Sequence, residues 1–389
     1  MSSFEVPVVR VTKVEHHPNA DRLSLVYFRG FTTISAKLED GSHRYNEGDL
    51  VVYVPEGAVV PEYLLRQGFW DDTKNKGMLT GPKGDRVKAI RLRGIISQGI
   101  MFPVEDVTLA PNPEGWVVNE FGEKMTAYEG TDVAEHLGVI KYEPPIPVQM
   151  AGEVFNLGAD KTIKFDVENY QKFPHVMNDP NEDVVVTEKL HGTFCQIAYL
   201  PGEHHPDGFL TGDLFIGSKG MSAQGLMFKN NERNASNLYV RAVIGSGIAE
   251  AFKLACEQDF HGTDVYLLGE VFGQGVQDLT YGSKGVEFRA FAVKLGKHGR
   301  WLNNHELGYF LDKAGIARVP VLAQGPWLEV ERNLVYFRDG KTTLGGDHIR
   351  EGVVITPTAE RRHDEIGRVI LKAVSPDYLL RKGNVTEFA

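Results

Sequence analysis

The sequence predicts an α+β protein in two parts: a small β-barrel domain, then a larger domain of antiparallel strands flanked by helices. Three observations predict it. The chain has 389 residues, more than the roughly 250–300 that one hydrophobic core usually organises. Short β-rich runs fill its first third, separated by Gly, Asn, Asp and Pro. In the remainder, strand-like runs outnumber helical ones and do not alternate strictly with them, which argues against a doubly wound parallel sheet. The composition, 42% hydrophobic and 24% charged, is that of an ordinary globular protein.

The first part contains VVRVTKV (8–14), LSLVYF (23–28), LVVYVP (50–55), RVKAIRLRG (86–94) and SQGIMFPV (97–104). In RVKAIRLRG, Val87, Ala89, Ile90 and Leu92 interleave with Arg86, Lys88, Arg91 and Arg93. That suits a strand with one face on a core and the other in water. Five such strands fit an OB-type barrel, although a β-sandwich satisfies the same count. Between 74 and 93 lie Lys74, Lys76, Lys83, Arg86, Lys88, Arg91 and Arg93 against Asp85 alone, a net of +6 (seven minus one) in a chain of formal net charge −10. A basic patch on a small barrel suits contact with a phosphate backbone, with Lys83, Arg86, Lys88, Arg91 and Arg93 as the contacts. A solvated strand face carries Lys and Arg as well. HHPNADRLSLV (16–26) faintly resembles the start of OB-type tRNA-binding domains, which supports the barrel and not tRNA as its ligand. Pro144, Pro145 and Pro147 exclude a helix interior or a central strand. The boundary therefore falls at 145–155, giving domains 1–145 and 155–389.

In the second part, DVVVTEKL, FCQIAYL, VYLLGEVF, FRAFAVKL, EGVVITP and GRVILKAV read as buried strands. Residues 239–258 place apolar side chains at helical spacing and read as the main helix. Residues 303–315 read as a second helix, with Gly315 at its C-terminal cap. Two cysteines, Cys195 and Cys256, exclude a disulfide scaffold and a four-cysteine zinc site. No apolar run approaches the ~18 residues of a membrane helix, and the first residues show no secretory pattern. The expectation is a soluble, cytoplasmic protein that binds no membrane and acts as a monomer.

Four ionisable residues sit in these apolar runs. Lys189 ends one strand, just before His191-Gly192; Glu270 lies in LLGEVFG, Glu351 in IREGVVITP and Lys372 in RVILKAV. Buried charges are costly unless paired; mutual pairing across one sheet would satisfy them, and so would a metal with a phosphate. Two lysines and two carboxylates suit a nucleoside triphosphate with Mg2+ or Mn2+, the carboxylates Glu270 and Glu351 holding the metal. A metal and Lys372 would offset phosphate charge and activate Lys189 as a nucleophile. Phe288 and Phe291 would offer an aromatic face for a base, or simply pack in a core. No GxxxxGK[ST] loop, GxSxG elbow or HExxH occurs.

Glu188-Lys189-Leu190-His191-Gly192 resembles motif I of the covalent nucleotidyltransferases, the superfamily of RNA ligases, DNA ligases and mRNA capping enzymes. LLGEVFG (267–273), FRAFAV (288–293), EGVVI (351–355) and VILKAV (369–374) resemble motifs III, IIIa, IV and V, in order. FDVENYQKFP (165–174) is similar to the segment that leads into motif I in RNA ligases, and GSKG (217–220) stands where motif Ia would. Motif V ends near 375, leaving no room for the OB domain that follows it in DNA ligases and capping enzymes. With the barrel first, the arrangement resembles the RNA ligase family known from Deinococcus and Naegleria.

The resemblance implies an RNA/DNA ligase-type nucleotidyltransferase domain and an ATP-dependent RNA ligase. Lys189 would take AMP from ATP, pass it to a 5′-phosphate, and a 3′-hydroxyl would displace it, at RNA-containing nicks in duplexes. Glu188 would read the adenine amino group, Phe291 would stack on the ring, and Lys372 would hold the phosphate. Glu270 and Glu351 would organise the metals and the ribose, and His191, Gly192 and Lys219 would complete the nucleotide site. His191 stands where most of the superfamily has Asp, Lys219 where Arg is usual, Val374 where many have a second motif V lysine, and Ala292 where an Asp often follows the stacking Phe. The alternatives are a GTP-dependent capping-type transferase and a nucleic-acid-binding protein whose transferase domain has decayed.

Overall fold

In the computed structural model, residues 4–108, 113–143, 150–204 and 213–381 are described. Pro144, Pro145 and Pro147 lie outside them. Cα packing divides the chain into two units, one of Ser2–Pro144 with Leu379–Ala389 and one of Pro145–Tyr378.

In the first unit the β-rich runs form short antiparallel strands. Val8–Arg10, Leu50–Val54 and Ile100–Pro103 make one three-stranded sheet; Lys13–His16, Leu23–Phe28 and Phe31–Ala36 make another. Val6, Val8, Val52, Val54, Val87, Ile100 and Phe102 form its core. The run 8–14 is thus two strands in two sheets. RVKAIRLRG is not one strand either. Val87 and Ala89 are buried as the alternation predicts, but Ile90 is 44% exposed. Only Ile90–Leu92 is strand, and it pairs back on Ile95–Ser97 through Arg93-Gly94. The HHPNADRL loop holds that hairpin: His17 Nε2 donates to the Leu92 carbonyl at 3.1 Å and Asn19 Nδ2 to the Arg93 carbonyl at 3.0 Å.

In the second unit, period-two alternation builds two packed sheets. A five-stranded sheet runs in the order Glu168–Asn169, Leu371–Val374, Gly352–Pro357, Asp183–Lys189, Val321–Pro326. A four-stranded antiparallel sheet runs Leu214–Ser218, Thr193–Tyr199, Val265–Gly273, Val286–Leu295. Ile197, Leu267 and Val293 face the helices on the outer side of the four-stranded sheet. Ala198, Leu268 and Ala292 face the other way and meet Val354 and Ile370 from the five-stranded side. Val184, Val186, Val353 and Ile355 pack outward against Trp327, Val330 and Leu334 of two short helices.

The helix expected over 239–258 is two helices, Leu238–Val243 and Ile248–Asp259. Gly245-Ser246-Gly247 breaks it, and Gly247 takes φ +76°, a left-handed conformation that glycine adopts without steric cost. The second expected helix is Asn304–Ala314; Asn303 and Glu306 form a reciprocal capping box and Gly315 is its left-handed C-terminal cap. Among the described residues no helix is long and apolar enough to cross a membrane. Asn303→Ala removes one half of the capping box. It should lower stability by about 1 kcal/mol in urea unfolding, and an unchanged midpoint would show that the cap contributes nothing.

Candidate active site

Lys189 closes its strand in the five-stranded sheet, and Thr193 opens a strand of the other sheet. Leu190-His191-Gly192 therefore carries the chain from one sheet to the other. Along Asp183–Lys189 the even residues Val184 and Val186 pack outward, so alternation turns Lys189 towards the inter-sheet space. Lys372 stands directly opposite Val354, which lies in that layer. Glu270 is registered between Phe194 and Arg289, and Phe194 lies in the same layer. Phe291 sits at a register shift, since Leu268 pairs with Ala292 but Gly269 with Ala290. This β-bulge re-aims its ring into a stack with Phe165 at 5.2 Å, centroid to centroid. Phe288 packs instead in the core on the helix side.

These ionisable residues thus come from two sheets, where pairing across one was among the arrangements the sequence allowed. Lys189 Nζ donates to Glu351 Oε1 at 3.0 Å, with the side chains 16% and 1% exposed. Gly192 has no room for a side chain: a Cβ there would lie 2.3 Å from the Val271 carbonyl oxygen and 2.9 Å from Glu270 Cγ. The missing side chain lets the Lys189 turn press directly on the strand that bears Glu270.

Glu188 is held by the segment around Thr342 and Thr343. Adjacent strand residues face opposite ways, and its buried carboxylate accepts from the Thr343 N–H at 2.9 Å, the Thr343 hydroxyl at 2.6 Å and the Thr342 hydroxyl, with Arg350 Nε 3.6 Å away. Those contacts engage both of its carboxylate oxygens. His191 is buried, its ring bonded to Asp278 and Tyr378. Lys219 is ion-paired with Asp166 at 2.8 Å. Burial holds the Glu168 carboxyl above its ordinary range, against the opposing charges of Lys172 and Lys372. Asp166, Glu168, Asp278, Tyr281, Arg350 and Tyr378 escaped the sequence reading. Only Asp166 and Glu168 carried any signal, as acidic residues within FDVENY.

In the first unit the basic stretch is divided among three settings. Lys83 is exposed. The Arg86 guanidinium lies over Tyr142 at 4.2 Å, and Lys88 donates to the Arg381 carbonyl at 3.2 Å. Burial, with Arg86 and Arg381 nearby, lowers the Lys88 pKa. Arg91 and Arg93 are exposed at the Ile90–Ser97 hairpin. Among the described residues no cluster of three or more His, Cys, Asp or Glu is placed to hold a metal ion. Gly192→Ala should cost about 1–3 kcal/mol in chemical denaturation through overpacking; a neutral result would show that the turn yields.

Residues 182–374 match the family model described as RNA ligase, and residues 6–104 match an OB-fold domain model. No curated protein sequence matches the chain. Among solved structures, Naegleria gruberi RNA ligase with PPi is similar at a TM-score of 0.71 and 20% identity, covering 97% of this chain and 98% of that one. A lysine-to-alanine mutant of that ligase with ATP and Mn gives 0.71 at 21%, over 96% and 98% of the two chains. A lysine-to-methionine mutant with AMP and Mn gives 0.73 at 21%, over 97% and 98%. These likenesses concern the fold; the family match falls on the stretch that holds Lys189, Glu270, Glu351 and Lys372. Residues 182–374 of this chain are an RNA ligase domain, and an OB-fold domain at residues 6–104 precedes them in sequence.

Proposed function

We propose that the protein is an ATP-dependent RNA ligase that seals 3′-hydroxyl/5′-phosphate breaks through a lysyl-AMP intermediate, acting as a monomer at RNA-containing nicks in duplexes. The observation that carries this reading is the convergence of Lys189, Glu351, Lys372, Glu270 and Phe291 about the inter-sheet space. Lys189 Nζ attacks the α-phosphorus of ATP; the N–P bond forms and pyrophosphate leaves. The 5′-phosphate of the nucleic acid takes AMP from the lysine. The 3′-hydroxyl then attacks that phosphate, and AMP departs as the phosphodiester forms. A protonated amine is no nucleophile, so the Lys189–Glu351 pair must open, or the proton must leave, before the first step.

Such transfers depend mainly on positioning and charge stabilisation. Lys372 suits the α-phosphate, and the Phe291 ring suits stacking on the base. Glu270 and Glu351 would hold Mg2+ or Mn2+ together with ATP phosphates, and the cation would supply charge neutralisation. ATP, AMP, PPi and Mn in structures of the similar ligase support that substrate set. Val374, where many relatives carry a second lysine, is 9% exposed, and Ala292, where an Asp often stands, is 1% exposed, so each place is filled here by a buried apolar side chain. On this reading residues 155–389 perform the transfers, while residues 1–145 hold nucleic acid. Arg91, Arg93 and Lys83 are its exposed phosphate contacts. Arg86 and Lys88 also serve the packing around Tyr142 and Arg381.

Incubation with α-labelled ATP and Mg2+ or Mn2+ should leave label on the denatured protein, and Lys189→Ala should abolish it. Labelling by GTP alone would point to a capping-type transferase, and no labelling by either nucleotide would overturn the enzyme reading. The double variant Arg91→Glu, Arg93→Glu should label normally. It should seal nicked duplexes at least about tenfold more slowly at low salt and show a shallower salt dependence. Unimpaired sealing would remove these arginines from the interface.

A further inference from the structure

The turn that carries Lys189 is held by one of its own side chains. His191 lies two residues after Lys189, and its ring is wholly buried. Nε2 lies 2.8 Å from Asp278 Oδ1, and Nδ1 lies 2.9 Å from the Tyr378 hydroxyl. An ionised carboxylate only accepts hydrogen bonds, so Nε2 carries a hydrogen. In the neutral ring Nδ1 is then an acceptor, and the Tyr378 hydroxyl donates to it. The two partners together fix the orientation of the ring and its tautomer.

These partners come from distant parts of the chain. Asp278 belongs to the connection between the Val265–Gly273 and Val286–Leu295 strands, which bear Glu270 and Phe291. Tyr378 belongs to the short helix Pro376–Leu380, which follows the strand bearing Lys372. The His191 backbone N–H donates to the Tyr281 hydroxyl at 2.5 Å, and Tyr281 packs edge-on to His348 at 4.6 Å. An apolar residue would pack the same turn without needing a carboxylate and a hydroxyl. The polar ring instead ties the turn to the two segments that carry the other site residues.

We propose that Asp278 and Tyr378 are positioning residues for nucleotidyl transfer, acting through His191 to keep the Lys189 turn in its productive place. The inference rests on Lys189 being the nucleophile. In-line attack tolerates little misplacement: an error of about 1 Å can cost on the order of 100-fold. Asp278→Asn retains size but presents an amide, so the ring can adopt the other tautomer. Tyr378→Phe removes only the hydroxyl.

The test is single-turnover formation of the labelled lysyl adduct by the full chain with α-labelled ATP and Mg2+, together with an unfolding midpoint for each variant. Asp278→Asn and Tyr378→Phe should each lower the rate constant about 10- to 100-fold, with the ATP concentration for half-maximal rate nearly unchanged. In a His191→Ala background, Asp278→Asn should cost nothing further, because its effect passes through the ring. A wild-type rate in either single variant overturns the proposal, and so does an equal loss from Asp278→Asn with and without His191. A loss that tracks the unfolding midpoint alone also overturns it. If the unmodified chain takes no label, the assignment of Lys189 fails first and the positioning role falls with it, so the two failures are distinguishable.

Discussion

An ammonium and a carboxylate 3.0 Å apart, the side chains 16% and 1% exposed, set the terms for the rest of the catalytic domain. Two ions removed from water lose several kcal/mol of hydration each, and their attraction offsets the loss only when the geometry is close. The chain meets that condition by placing Lys189 at the end of one strand and Glu351 immediately before the strand beside it. Lys189 is registered opposite Gly352, the residue that follows Glu351, and the Ser375 N–H donates to the Glu351 carbonyl at 2.9 Å. Both partners are thus held by sheet backbone, and neither depends on a mobile loop for its position.

The same constraint explains the shape of the surroundings. A buried pair at the end of one sheet is useful only if the second sheet closes over it. The Leu190–Gly192 turn makes that passage in three residues, and the bare Gly192 lets it lie on the Glu270 strand. The β-bulge at Phe291 then turns an aromatic ring towards the layer that already contains Phe165 and Phe194. In the OB-fold domain a comparable economy operates at a surface: His17 and Asn19 hold the backbone of the hairpin whose arginines point to solvent. The net charge of −10 therefore says little about affinity for a polyanion, because the cationic side chains are presented locally.

Much of this was legible because strands and helices encode their faces in short periods. The apolar run before Lys189 marked it as the end of a buried strand, and Gly315 marked the C-terminal end of a helix. Other readings failed for identifiable reasons. RVKAIRLRG alternates like a strand, yet the Arg93-Gly94 turn, both residues at positive φ, folds its end back. The apolar spacing over 239–258 is helical on both sides of Gly245-Ser246-Gly247, so periodicity alone did not reveal the break.

The sequence by itself determined the order of most elements and the short periods by which strands show their faces. Tertiary structure alone decided what those faces meet. The Glu188 carboxylate, for one, meets Thr342 and Thr343, 154 and 155 residues away in sequence. His191 finds Asp278 and Tyr378 at separations of 87 and 187 residues. Local periodicity carries no information over such distances, because the partner of a face is set by how the sheets stack, and that is fixed only when the whole domain has folded.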